Sequence, residues 1–173
     1  MESWTKLPVS IEKIDTEGVA SLKTNTSGNY RLINLWATWC LPCIKEFPEL
    51  VSISRQFDMR DFDFISISLD DPGEETKALN FLKQQGAGPT NRAVERIQND
   101  NRTTNHYLFT GASQDALVEV LDPEWPGPIP HTVLIAPGGK IIWRHNGIID
   151  GKEARSQIAE ALTRYWELPE EVE

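Results

Sequence analysis

The feature that most constrains this chain is a seam at Trp39-Cys40-Leu41-Pro42-Cys43, where a strand-like apolar run gives way to a helical stripe. Upstream, Tyr30 to Ala37 carries Leu32, Ile33, Leu35 and Trp36 and reads as a buried strand. Downstream, Phe47, Leu50, Val51, Ile53 and Phe57 recur at helical spacing, which predicts a helix from Cys40 to about Phe57. Pro42 falls in its first turn, where an amide N–H has no helical acceptor anyway. Pro48 lies inside it and predicts a kink, because proline removes a donor and crowds the previous turn.

The chain has two cysteines, Cys40 and Cys43. A disulfide between them closes almost no loop, so stability is a poor reason for the pair and reactivity a better one. At a helix N-terminus, free N–H groups and partial positive charge favour the thiolate, which is the nucleophilic form. Cys43 lies within one turn of Cys40, near enough for the two sulfurs to bond. The expected chemistry is a two-step exchange: Cys40 attacks a partner disulfide, and Cys43 resolves the mixed disulfide. The alternative is half of a zinc site. It would need two more ligands, and His106, His131 and His145 are scattered.

The remaining pattern alternates strands and helices. Pro8–Ile14 reads as a strand, Asp15–Lys23 as a helix with Asp15 as N-cap, and Asn25–Asn29 as a turn. Phe62–Leu69 is the next strand, closed by Asp70-Asp71-Pro72-Gly73, and Glu74–Gln85 the next helix. Gly86–Asn105 is polar and reads as an excursion with a short helix near Ala93–Gln98. His106–Phe109 (strand), Ser113–Leu121 (helix) and a Pro-rich corner at Pro126–Pro130 follow. Thr132–Ala136 and Lys140–Arg144 form a hairpin about Pro137-Gly138-Gly139. A last helix opens on an Asp150–Glu153 capping box and buries Ile158, Ala161, Leu162 and Tyr165; the acidic tail Pro169–Glu173 is expected to fray. This order predicts an α/β fold: a central mixed β-sheet flanked by helices, in one domain spanning 1–173, with an extra segment around 86–105.

Composition excludes several partners. With 17 basic and 26 acidic side chains the net charge is −9, and no Lys/Arg cluster offers the positive surface that nucleic acid or an anionic membrane demands. No apolar run approaches the roughly 20 residues of a membrane helix. Met1-Glu2-Ser3-Trp4 has neither the basic nor the apolar region of a signal peptide.

The run Asn34-Leu35-Trp36-Ala37-Thr38-Trp39-Cys40-Leu41-Pro42-Cys43, with Glu46-Phe47-Pro48 behind it, resembles the TlpA/ResA-type branch of the thioredoxin superfamily. A second match about 90 residues on, Ile129-Pro130-His131-Thr132-Val133-Leu134-Ile135, resembles that family's cis-proline loop and following strand; the similarity spans about Tyr30 to Trp166. The resemblance implies a thioredoxin-like fold and a thiol–disulfide oxidoreductase with a redox disulfide between Cys40 and Cys43. It needs no cofactor beyond that dithiol. Its partners would be protein disulfide or dithiol substrates and an upstream electron donor, in an extracytoplasmic compartment (periplasmic or membrane-tethered) and with a reducing role; a cytoplasmic chain would read the same from its residues. Leu41-Pro42 by itself does not fix the direction of electron flow.

The resemblance also assigns roles. Pro130 would lie beside the cysteines in cis and turn the Ile129 backbone toward a bound peptide; otherwise Pro126, Pro128 and Pro130 simply stiffen a loop. Glu46, one turn beyond Cys43, would tune the thiols and could accept the Cys43 proton, or it is an ordinary first-turn glutamate. Asn34 stands where thioredoxin has a buried, titratable Asp, and Ser66 stands near the place of its Lys partner. Trp39 would be an exposed apolar contact and Pro42 would line the same surface, whereas Trp36 belongs to the core. His131 reads as a surface histidine at a strand end that could also face the cysteines. Two other readings remain: a copper carrier holding metal with the cysteines and His131, for which a CxxxC spacing is usual, or a redox-inactive binding module on the same fold; and a thiol peroxidase, whose Pro-x-x-x-Thr-x-x-Cys pattern is not met by Asn34 and Thr38-Trp39-Cys40.

Overall fold

The computed structural model describes residues 7–163. Tyr165, Trp166 and the acidic tail therefore lie outside the described residues, as does the start of the chain through Lys6. Six strands form one sheet: β1 (Glu12–Ile14), β2 (Tyr30–Trp36), β3 (Phe62–Ser68), β4 (His106–Phe109), β5 (His131–Ile135) and β6 (Ile141–Asn146). Their order is β1-β4-β3-β2-β5-β6. β1, β4, β3 and β2 run parallel, whereas β5 is antiparallel to β2 and to β6. Six α-helices accompany them: α1 (Thr16–Thr24), α2 (Leu41–Gln56), α3 (Glu75–Gln84), α4 (Asn91–Asn99), α5 (Gln114–Leu121) and α6 (Gly151–Thr163).

The period-two geometry of a strand sorts β2 between two cores. Leu32 and Trp36 face Phe47, Leu50 and Ile53 of α2, with Leu82 of α3 and Ile158 of α6 in the same cluster. Ile33 and Leu35 face the other way, against Val19 and Leu22 of α1, Leu117 and Leu121 of α5, and Trp125. All seven residues of β2 are buried, as a central strand covered on both sides requires. Asn34 shares the α2 face with Leu32 and Trp36, so the alternation that builds the core also aims one polar side chain at the helix that follows the cysteines.

Local chemistry explains most boundaries. Asp15 caps α1 by accepting from the Gly18 N–H, and Ser113 caps α5 through Ala116 N–H. Gly138 and Gly139 both have positive φ (98° and 102°), which a side chain at the hairpin tip would resist. Pro48 is accommodated inside α2, which runs unbroken from Leu41 to Gln56. The expected strand at Pro8–Ile14 shortens to Glu12–Ile14, because only those residues find β4 as a partner. The capping box at α6 forms by half: Asp150 accepts from Lys152 and Glu153 N–H, but Glu153 instead accepts from the Trp143 indole. Ile158 and Leu162 are buried there as expected, while Ala161 is half-exposed.

The extra segment is more ordered than its sequence suggests. Thr90 caps α4 through Ala93 N–H and donates to buried Asp58. Arg96 then binds Asp58 and Asp63, and Arg102 binds Asp63 and Asp100, fastening the segment to the end of the sheet where β3 begins. A cavity of about 350 Å³ opens at that end beside Phe62, Phe64 and Ile97, and no cysteine lines it.

Candidate active site

The cysteines sit where β2 delivers the chain to α2. A tight turn, with Cys40 N–H donating to Ala37 O at 3.1 Å, carries the backbone off the C-terminal end of β2. Cys40 is the N-cap of α2: its backbone is extended, and its Sγ accepts from the Cys43 N–H at 3.3 Å. Such a donor is one of the amides left free at a helix start, and it stabilises negative charge on sulfur. Cys40 and Cys43 form a disulfide with their Cα atoms 5.3 Å apart. Cys43 is fully buried, whereas Cys40 keeps 6 % of its surface. Solvent therefore reaches the pair through Cys40.

Around Cys40 the surface is apolar and open. Trp39 is 66 % and Leu41 62 % exposed, and Pro42 is exposed at the second helical position. Ile148, next in sequence to the Ile149 whose N–H binds Glu46, is exposed as well. Trp36, by contrast, is sealed in the core against Phe47 and Phe81. Across the rim, the Ile129–Pro130 peptide bond is cis, and the Ile129 carbonyl oxygen lies 3.8 Å from Cys40 Sγ. Pro130 is buried and its carbonyl accepts from Gly147 N–H at 2.8 Å.

One turn further along α2 from Cys43 lies a buried carboxylate. Glu46, 3 % exposed, accepts from Ile149 N–H and from the Asn34 amide, both at 2.8 Å. Burial raises its pKa to about 7; the two hydrogen bonds and the more distant His145 only partly oppose that rise. Asn34 also donates to Thr132 Oγ1 at 3.1 Å, and its Oδ1 has no partner. Glu46 is therefore a buried group able to gain or lose a proton near neutral pH, not a solvated first-turn side chain. Ser66 pairs in register with Asn34 but turns its hydroxyl to His106 Nδ1 at 2.7 Å, away from that polar cluster.

Sequence reasoning missed a second carboxylate. Asp70 is buried and accepts from Thr38 N–H (3.0 Å), Thr38 Oγ1 (2.6 Å) and Ser68 Oγ (2.6 Å), holding the turn two residues before Cys40. It reads in the sequence only as the close of the third strand, because its partner Thr38 lies 32 residues upstream. His131 corrects an expectation. It is 1 % exposed, its Nε2 bonds Asp122 at 2.8 Å, and its Nδ1 meets Asn146 at 3.1 Å. Both ring nitrogens are thus committed away from the sulfurs, which removes the copper arrangement that needed His131.

A mixed sheet with a helix-capping CxxC disulfide across from a cis-proline loop defines a thioredoxin-fold protein. The AhpC/TSA family profile matches residues 7–144, and the chain belongs to that family. Thiol-disulfide oxidoreductase ResA of Bacillus subtilis (strain 168) is 28 % identical over 130 residues, 74 % of this chain and 59 % of that protein. The chain thus spans less than two thirds of that relative's length. A thiol:disulfide interchange protein of Chlorobium tepidum TLS superposes with a TM-score of 0.57 at 22 % identity, covering 90 % of this chain and 96 % of that one. The thioredoxin-related protein of Neisseria meningitidis serogroup B gives a TM-score of 0.58 at 26 % identity, covering 79 % and 87 %.

Proposed function

We propose that this chain is a thiol–disulfide oxidoreductase that reduces protein disulfides, is itself re-reduced by an upstream dithiol donor, and works in an extracytoplasmic compartment. The observation that carries this reading is the Cys40–Cys43 disulfide on the first turn of α2, with only Cys40 open to the surface. The names of the relatives, oxidoreductases and interchange proteins of thiols and disulfides, agree with it.

In the reduced protein, the Cys40 thiolate attacks one sulfur of the substrate disulfide. That S–S bond breaks, the distal substrate sulfur leaves as a thiolate and takes up a proton, and a mixed disulfide forms. Cys43 then loses its proton and attacks Cys40 Sγ. The mixed disulfide breaks, the second substrate thiol is released, and two electrons have passed from the Cys40–Cys43 dithiol to the substrate.

Glu46 is assigned the proton of Cys43. It stands one turn further along the same helix face, and its pKa of about 7 lets it accept and return a proton at neutral pH. An ionised Glu46 also disfavours a second negative charge on sulfur, so the thiolate form of the reduced pair is not over-stabilised. That favours a reducing pair, since strong oxidants of this fold owe their potential to a stabilised reduced form. Trp39 and Pro42 supply apolar contact for the partner. The Ile129 backbone, beside Cys40 and followed by Pro130, supplies a short strand-like edge for its main chain.

The test is covalent trapping. Cys43→Ser, which can attack but not resolve, is expected to accumulate mixed disulfides with its substrates. Cys40→Ser is expected to capture none and to lose reductase activity. Single variants that both match the wild type in disulfide reduction would end this reading.

A further inference from the structure

On the opposite face of the sheet from Glu46, a closed polar network surrounds the residue that follows Pro130. Asp122, fully buried just after α5, accepts from His131 Nε2–H (2.8 Å), from Arg144 Nε and Nη2 (3.0 and 2.9 Å) and from Glu124 N–H (3.1 Å). Asn146 uses one amide proton on His131 Nδ1 (3.1 Å) and the other on Pro128 O (2.9 Å). Because Asn146 can only donate from that nitrogen, His131 Nδ1 is the acceptor and Nε2 carries the proton, which fixes the neutral tautomer. The Trp125 ring stacks on the imidazole at 5.5 Å and 15°, and its Nε1–H donates to the same Pro128 carbonyl at 2.8 Å.

The consequence falls on Ile129. Behind it, the Pro128 carbonyl is held by Trp125 and Asn146. Ahead of it, His131 is locked into the sheet opposite Leu35 and Asn146. Between these anchors the Ile129 carbonyl is left beside Cys40 Sγ, and its N–H donates to no group among the described residues. We propose that His131, with Asp122 and Asn146, is a positioning device that presents the Ile129 backbone edge to the main chain of a peptide substrate. It thereby selects disulfides carried on an extended polypeptide over small disulfides. This deepens the exchange reading above and rests on it. The network touches neither sulfur, and the sheet separates it from Glu46, so it governs docking and leaves the thiol chemistry alone.

The experiment compares a disulfide-linked peptide with 2-hydroxyethyl disulfide, which has no backbone to pair, using the full chain and its His131→Ala, His131→Gln and Asn146→Ala variants. His131→Ala is expected to raise KM for the peptide about tenfold, the scale of losing one main-chain hydrogen bond between the substrate and Ile129, with kcat unchanged. Asn146→Ala, at an exposed position that tolerates truncation, is expected to raise the same KM by less. His131→Gln should recover part of the loss, since its amide can still donate to Asp122. Turnover of 2-hydroxyethyl disulfide and the Cys40–Cys43 reduction potential should not move in any variant. An unchanged peptide KM in Asn146→Ala and His131→Gln overturns the assignment, as does an equal loss on both substrates or a shifted potential. Wild-type protein that turns over neither disulfide would instead overturn the exchange reading, and this assignment with it.

Discussion

Two pairs of buried carboxylates, one at each end of the sheet, are treated in opposite ways; Asp122, on the other face at the cysteine end, stands apart in its ion pair with Arg144. Where β3 begins, Asp58 and Asp63 are each held by arginine: Arg96 reaches both, and Arg102 joins Asp63 to Asp100, which Arg31 also grips. At the cysteine end, Glu46 and Asp70 are as deeply buried, yet they receive only amide and hydroxyl donors, with no ion pair among the described residues. A guanidinium neutralises a buried carboxylate and fixes its charge, which suits a structural clasp. Neutral donors leave the charge negotiable, and for Glu46 the result is a carboxyl that titrates near neutrality. Paired charge marks the clasp at Asp58 and Asp63, whereas no guanidinium reaches Glu46 among the described residues.

The largest effect that would break this contrast lies at the clasp. Asp63→Ala removes the carboxylate that Arg96 and Arg102 share, leaving them Asp58 and Asp100, and should cost about 3–5 kcal/mol of stability in denaturant unfolding, from two charged hydrogen bonds at about 1.5–3 kcal/mol each. Cys40 reactivity in the folded fraction should match the wild type. A stable Asp63→Ala, or one with altered thiol chemistry, would mean that the two ends are not separate in role.

Glu46 sharpens the contrast through pH. Its folded pKa of about 7 stands above the ordinary 4.5, so the folded state binds the extra proton between those values. Stability from this group is therefore fully present below pH 4.5, declines as pH rises toward 7, and is flat beyond. The span is at most about 3 kcal/mol at 1.36 kcal/mol per unit. Glu46→Gln should abolish that slope in oxidised protein, so that the wild-type and variant unfolding free energies diverge with pH over this window. Parallel curves would show that Glu46 does not titrate there.

Much of this was legible in the sequence, and the reasons are physical. Strand β2, the CxxC seam, the Gly138-Gly139 hairpin and the cap at Asp15 follow from local patterns, which are read within a few residues. The nearness of Glu46 to Cys43 follows from helical spacing alone. What escaped were contacts closed by the fold. Asp70 reaches back 32 residues to Thr38, Asp122 meets Arg144 across the β5–β6 hairpin, and the ion pairs of the 86–105 segment join it to β2 and β3. His131 shows the limit most clearly. A histidine after a proline at a strand start gives no sign of burial until the Trp125 ring and the Asp122 carboxylate arrive from the preceding loop.

The most direct test is thiol mapping in the reduced protein: brief alkylation with iodoacetamide at pH 7, then peptide mass analysis. An attacking sulfur at the rim and a resolving sulfur beneath it require that Cys40 be modified first and Cys43 remain protected. Equal labelling, prior labelling of Cys43, or two inert thiols in folded protein would contradict that arrangement.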